Sequence, residues 1–238
     1  LTDMQIQGIT MERIVSQQGE YMLIKSKTPL KTLNSSPCGG GFGTYTGLMN
    51  RQVNKHYNES DPIAEMNKFI LSEGLDPSET AGMLTAAKVR DVGTSSLSWV
   101  TDDLEAGDPL REKLQVTAWV TVGLGNKARA GARLSASSLF PGTINSIVVI
   151  NGCLTDAAMV NAVITATEAK VAALQDMDVQ VDGLPATGTT TDAVLIAATG
   201  RGRLYKYAGT ATQLGYLIGR TVYDATVASG RLYGKKPY

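Results

Sequence analysis

The stretch LPATGTTTDAVLIAATGRG, residues 184–202, holds three consecutive threonines, Thr189, Thr190 and Thr191. They stop at a single acid, Asp192, and an apolar strand-like run from Val194 to Ala198 follows. A carboxylate at the mouth of a buried strand has two readings. Desolvation there favours the protonated form and suits a general base. Alternatively the carboxylate accepts hydrogen bonds from the turn amides, as in an Asx turn. The hydroxyls are a second resource, because Ser or Thr attacks an acyl group once a neighbour takes its proton.

Other chemistry is scarce. His56, in NRQVNKHYNESD, is the only histidine; a Ser-His-Asp triad would have to use it, and no GxSxG elbow accompanies it. A surface or structural role is expected for it. Cys38 and Cys153 form no CxxC pair, so reduced thiols and no zinc site are expected, while magnesium held by carboxylates stays open. The run GLGNKARAG, residues 123–131, lacks the spacing of a phosphate loop. Its Asn126, Lys127 and Arg129 after a strand suit a polar or anionic group, or simply a glycine-rich turn. On a helix over 155–177, Asn161, Thr165 and Glu168 share one flank and line a cleft or a solvated edge. Lys170 falls about 160° from Glu168, so the two do not form a dyad.

The whole chain bounds these readings. At 238 residues, 43% hydrophobic and 18% charged, it reads as a compact protein with a substantial core. With 22 basic against 22 acidic residues it offers no footprint for nucleic acid or an anionic membrane. The basic tail RLYGKKPY reads as a solvated terminus. No apolar run approaches the roughly 18 residues of a membrane helix and no signal-peptide pattern opens the chain, so no membrane insertion and a cytoplasmic location are expected.

The elements follow from periodicity. MQIQGIT, ERIVSQQ, YMLIKS and LKTLNSS alternate as strands of an antiparallel meander, and SPCGGGFG then supplies a flexible glycine turn. A helix is predicted over 61–74, with Asp61 as cap, Pro62 in the first turn, and Ile63, Met66, Phe69 and Ile70 on one face. GMLTAAK, LQVTAWVTVGL and TINSIVVI read as buried strands. In the 155–177 helix, Val160, Val163, Ile164, Thr167, Val171 and Leu174 form the apolar face. A last helix spans about 210–229 and stops at Gly230, with Ala211, Gly215 and Gly219 at a close contact. The expected fold is a single α+β domain over residues 1–238, with a mixed sheet or two stacked sheets flanked by a few long helices.

Several segments together resemble the CbiZ-type adenosylcobinamide amidohydrolases: LNSSPCGGGFG, AGMLTAA, VTVGLGNKARAG, GTINSIVVINGCLTDAAMVNAVITATEAKVAAL, ATGTTTDAVLIAATG and YAGTATQLGYLIGRTVYDA. They span roughly residues 30–226, and the TEAK helix followed by ATGTTTDA is the most specific part; the first thirty or so residues are less diagnostic. The resemblance implies hydrolysis of the amide joining aminopropanol to the corrin ring, giving adenosylcobyric acid for corrinoid salvage or remodelling. The substrate brings its own cobalt, so no cofactor or metal is expected. Two mechanisms stay open. Glu168 or Asp192 activates water, which is preferred because no Ser-x-x-Lys motif marks a nucleophile, or a hydroxyl attacks, from Ser35, Ser36, Thr85 or Thr189–Thr191. Among these, Glu168, Asp192, Thr190 and Ser36 are the leading catalytic candidates. The amides of Gly39, Gly40 and Gly41, or of Gly188, Thr189 and Thr190, with Asn34 and Asn126, are the oxyanion candidates. Thr85, Asn161, Lys170 and Thr191 complete the expected substrate contacts, and Tyr45, Tyr57, Tyr205 and Tyr207 could edge a cleft for the flat corrin. Homo-oligomer formation and a functional link to a corrinoid ABC importer are compatible with this reading. The competing readings are a non-catalytic corrinoid-binding module beside such an importer, and a hydrolase of another small amide.

Overall fold

The computed structural model describes residues 6–99, 113–133 and 142–234; the first residues of the MQIQGIT run and the last of the basic tail lie outside them. The chain opens with β1 (Ile9–Ser16), β2 (Gly19–Asn34) and β3 (Gly41–Gln52), paired antiparallel in succession. The four short strand signals of this region become two strands, β1 and β2, and β3 follows where no strand was predicted. YMLIKS and LKTLN fuse into the single long β2, and the break between them survives as a register shift against β3 between Lys25 and Leu30, which interrupts the pairing without ending the strand.

Helix α1 (Pro62–Ser72) starts where predicted: the Asp61 carboxylate accepts from Ala64 N at 2.9 Å, and Pro62 occupies the first turn. Met66, Phe69 and Ile70 are buried, whereas Ile63 is exposed. Next come β4 (Thr80–Thr85), parallel to β3, then β5 (Gly93–Trp99) and β6 (Leu114–Val122), an antiparallel pair. β7 (Lys127–Ala128) is a short ribbon strand, and β8 (Ile144–Asn151) is central. After β9 (Cys153–Leu154), helix α2 (Asp156–Asp176) crosses over, capped by Thr155, whose hydroxyl accepts from Ala158 N. Short strands β10 (Gln180–Val181), β11 (Leu184–Pro185) and β12 (Gly188–Thr189) lead into β13 (Ala193–Ala198), which runs parallel to β8. β14 (Leu204–Tyr205) and α3 (Gln213–Gly234) close the described chain.

Among the described residues the result is a single α+β domain built on one mixed sheet of eight strands, ordered β4-β3-β2-β13-β8-β6-β5, with β1 paired to β2, and flanked by three helices. The two expected alternatives merge in it. The sheet is continuous, yet its halves face one another across a shared core. Met22, Ile24, Leu48 and Met83 from one half pack with Trp119, Ile147, Val149 and Leu195 from the other. Polar bonds cross the same gap, from Asn50 to Thr121 at 3.0 Å and from Asn145 to Asn50 at 2.9 Å. α1 covers the outer face of the first half through Tyr21, Leu23, Met49, Met66 and Phe69. α2 and α3 cover the outer face of the second.

Two helix expectations need correction. The buried face of α2 is Ala158, Met159, Ala162, Thr165, Ala166, Lys170, Ala173 and Leu174, while Val160 and Ile164 are about half exposed. α2 is apolar nearly all round, so the choice of face goes to the small residues that permit close approach to β13 and α3. By length and composition α2 is the one helix among the described residues apolar enough to cross a membrane, unlike the sequence expectation, and it lies packed on the sheet. α3 runs through Gly230 to Gly234. Gly230 does not cap it; a Cβ there would come within 2.7 Å of Met177 Sδ at the end of α2.

Candidate active site

The parallel pair β8–β13 sets the site. Its register puts Ala193 beside Asn145, so Asp192, just before β13, meets Ile144 at the start of β8 and Thr143 just before it. The β7–β12 ribbon pairs Gly188 with Ala128 and Thr189 with Lys127. It thereby joins the GLGNKARAG loop to the threonine turn, two motifs separate in sequence. Further bonds clamp them: Thr187 N to Ala128 O at 2.9 Å, Thr190 N to Asn126 O at 3.2 Å, and Ala130 N to Thr187 Oγ1 at 2.8 Å.

Asp192 is the hub. Its Oδ2 accepts from Lys170 Nζ at 2.6 Å, and the two side chains are 14% and 8% exposed. Its Oδ1 accepts from the amides of Thr189 and Ile144, each at 3.1 Å, and from the Thr189 hydroxyl. Asp192 thus organises the turn as an Asx-type acceptor and also stands in contact with a hydroxyl. Lys170 reaches it from the buried face of α2. Gly188 is required for this contact, because a Cβ there would lie 2.2 Å from Asp192 Oδ2 and 2.9 Å from Lys170 Nζ.

Two clefts open beside this hub. One, of about 550 Å³, is lined by Lys170, Thr187, Gly188, Thr189, Thr190 and Asp192 together with Arg129. The other, of about 350 Å³, is lined by Lys55, Tyr57, Thr85, Asn126, Thr143, Thr190 and Thr191 among others. Tyr57 is fastened at its wall by donating to Glu65 of α1 at 3.1 Å; burial and then that carboxylate push the phenol well above its ordinary range. Arg51 holds the same Glu65 at 2.6 Å and lies over the Phe69 ring.

Apart from Thr85, which lines the second cleft, the remaining sequence candidates lie away from both. Glu168 is exposed and lines a different depression, between α2 and α3, with Thr165, Tyr216 and Arg220. Thr165 is buried and donates to Ala208 O, and Asn161 sits half-buried on α2. Asn34, Ser36 and Gly39–Gly41 form a self-bonded turn. Asn34 Nδ2 donates to Cys38 O and Gly39 O, Ser36 N donates to Asn34 Oδ1, and Ser36 Oγ donates to Gly82 O. None of them lines either cleft beside Thr190. Ser35 ties the turn to the site instead, accepting from Val194 N at 2.9 Å. Thr85 accepts from Ala87 N, and Tyr207 is exposed. The sequence reading did not single out Thr143, which donates to Thr191 O at 2.7 Å, or Thr187. The signal for Thr143 lay in its place immediately before a strand that pairs parallel with β13.

Among the described residues no group of three or more His, Cys, Asp or Glu side chains is assembled to hold a metal ion. The site as a whole is a hydroxyl-rich edge organised by a buried ion pair, with one hydroxyl in contact with a carboxylate.

The fold and the chain both have relatives. A crystal structure of a Pyrococcus horikoshii protein superposes with a TM-score of 0.53 over 94% of this chain and 84% of that one, at 10% identity, which is a likeness of fold. The adenosylcobinamide amidohydrolase of Methanosarcina mazei is 29% identical over 210 residues, 84% of this chain and 90% of its own length. That of Halobacterium salinarum is 36% identical over 120 residues, 48% of this chain and 49% of its own. The model of the adenosylcobinamide amidohydrolase family (CbiZ) matches residues 5–237. Extending nearly end to end, that match makes the chain a member of the CbiZ amidohydrolase family.

Proposed function

We propose that this protein hydrolyses the amide between the corrin ring and the aminopropanol arm of adenosylcobinamide, with the Thr189 hydroxyl as nucleophile. One observation carries the choice of residue: Thr189 donates its hydroxyl proton to Asp192, whose other oxygen is held by Lys170. A nucleophile in contact with its base, and a base oriented by a third group, is the arrangement nucleophilic catalysis requires. In the reaction Thr189 Oγ bonds to the amide carbon while its proton passes to Asp192. Collapse of the tetrahedral species breaks the C–N bond, and the proton moves from Asp192 to the departing amine. Water then hydrolyses the Thr189 ester, releasing the corrinoid acid and restoring the hydroxyl. Glu168, facing another depression, takes no part in this scheme.

Purified protein incubated with adenosylcobinamide is expected to release aminopropanol and adenosylcobyric acid, resolved by chromatography. Thr189→Val lowers turnover by about 10²-fold or more, Thr189→Ser retains a measurable part, and Glu168→Gln matches the wild type. Folded Thr189→Val with wild-type turnover would transfer the attack to a water molecule. Folded wild type that binds the corrinoid without cleaving it would leave a binding module.

A further inference from the structure

Of the three threonines in the turn, the flanking two have committed hydroxyl protons. Thr189 gives its proton to Asp192, and Thr191 gives its own to Gly142 O at 2.9 Å, beside Thr143. The middle one differs. Thr190 Oγ1 accepts from Asn126 Nδ2, and the Thr190 amide donates back to Asn126 O at 3.2 Å. A hydroxyl has one proton to give and two lone pairs to receive with. Asn126 fills a lone pair, and no protein acceptor takes the proton among the described residues. Thr190 is also the residue shared by the linings of the two clefts. Its uncommitted O–H therefore sits where they meet, one residue from the Thr189 hydroxyl.

We infer that the Thr190 hydroxyl donates the hydrogen bond that stabilises the oxyanion of the scissile amide, and that Asn126 is the positioning residue that aims it. The inference rests on the amide-cleaving reading above and adds the group that receives the developing charge. Preorganised donors of this kind, aimed at the oxygen of a tetrahedral intermediate, supply a large share of acyl-transfer catalysis. Asn126 is suited to the aiming role. It is 5% exposed, and Gly142 leaves room for its amide, since a Cβ there would come within 2.6 Å of Asn126 Oδ1. Asn126 Oδ1 has no partner among the described residues, and the amide contributes to the site through Nδ2. The direction of the Asn126–Thr190 bond is what matters. Were the amide turned over, Thr190 would spend its proton on Asn126 and none would reach the cleft.

Steady-state kinetics on adenosylcobinamide, with melting curves to confirm folding, test the inference. Thr190→Val is expected to lower kcat by about 10²–10³-fold with little change in KM, the signature of losing one oxyanion donor. Thr190→Ser, which keeps the hydroxyl, restores kcat to within about tenfold. Asn126→Asp tests the direction: a carboxylate can only accept, so it draws the Thr190 proton out of the cleft and lowers kcat as Thr190→Val does. Folded Thr190→Val with wild-type kcat overturns the inference and leaves the amidohydrolase reading intact. Full activity in Asn126→Asp overturns the aiming role and the bond direction together. A folded wild type that does not cleave the substrate removes the functional reading, and this inference with it.

Discussion

At the scale of single residues, the decisive object is the Asp192–Lys170 pair. Both side chains are nearly shut off from water, so neither charge tolerates losing the other. Asp192 holds four donors and Lys170 relies on one carboxylate. Removing Asp192 strands a buried ammonium, a loss of about 3–5 kcal/mol when one partner of a buried pair is deleted. Lys170→Met is milder, because the Thr189 amide, the Thr189 hydroxyl and the Ile144 amide remain on the carboxylate. Urea melts are expected to rank wild type above Lys170→Met and Lys170→Met above Asp192→Ala. Asp192→Ala within about 1 kcal/mol of wild type would mean that the pair is not buried in solution. The pair was half legible in the sequence. Asp192 stood out as a lone acid before a strand, but Lys170, separated from it by 21 intervening residues, was read only as a substrate contact.

At the scale of elements, small residues set how closely helices approach. Gly215 and Gly219 look equivalent in sequence, four residues apart on one helix. The structure separates them. A Cβ on Gly215 would meet Gly209 O at 2.0 Å, whereas the nearest group for one on Gly219 is Thr165 Cγ2 at 3.8 Å, an ordinary contact. Gly215→Ala must push back a backbone carbonyl and is expected to cost about 1–3 kcal/mol. Gly219→Ala fills open space within α3 and gains about 0.5–1 kcal/mol from helix propensity and a stiffer unfolded chain. Thermal melts of the two variants should move in opposite directions. Equal shifts would refute the distinction. On α2 the buried face is likewise made mostly of small residues. Periodicity finds large apolar residues, but close approach selected the alanines.

At the scale of the whole molecule, each half of the curled sheet has its own helix cover, and α1 is fastened to the first half through acid–tyrosine contacts. Tyr21 donates to Glu73 at the end of α1 at 2.9 Å, Ser16 of β1 donates to the same carboxylate at 2.7 Å, and Tyr57 donates to Glu65. Burial first, then Glu73, raise the Tyr21 phenol from 10.0 to about 12. A folded-state value above the unfolded one means that the folded protein holds the proton longer. Its contribution is therefore complete below pH 10.0 and is lost progressively as the pH climbs towards about 12. Stability measured by urea unfolding should fall across that window, and Glu73→Gln, which removes the negative charge, should flatten the fall. An identical slope in the variant would show that the Glu73 charge does not contribute to the raised Tyr21 phenol. Alternation made β1 and β2 legible, but not β3, nor that YMLIKS and LKTLN are one strand, because an irregularity within a strand and a turn leave the same mark in a sequence.

Local chemistry is what the sequence by itself determined: the strands and helices with their start signals, the scarcity of histidine, the hydroxyl-and-acid turn, and family resemblance over most of the chain. These are short-range properties, set by neighbours within a turn or a strand. Long-range placement was decided only by the tertiary structure. The parallel register of β8 and β13 set Ile144 beside Asp192, the β7–β12 ribbon brought Asn126 to Thr190, and the approach of α2 delivered Lys170 to the carboxylate while turning Glu168 towards another depression. Each depends on contacts between residues far apart in the chain. Their partners are chosen by packing and strand pairing, which no local spacing encodes.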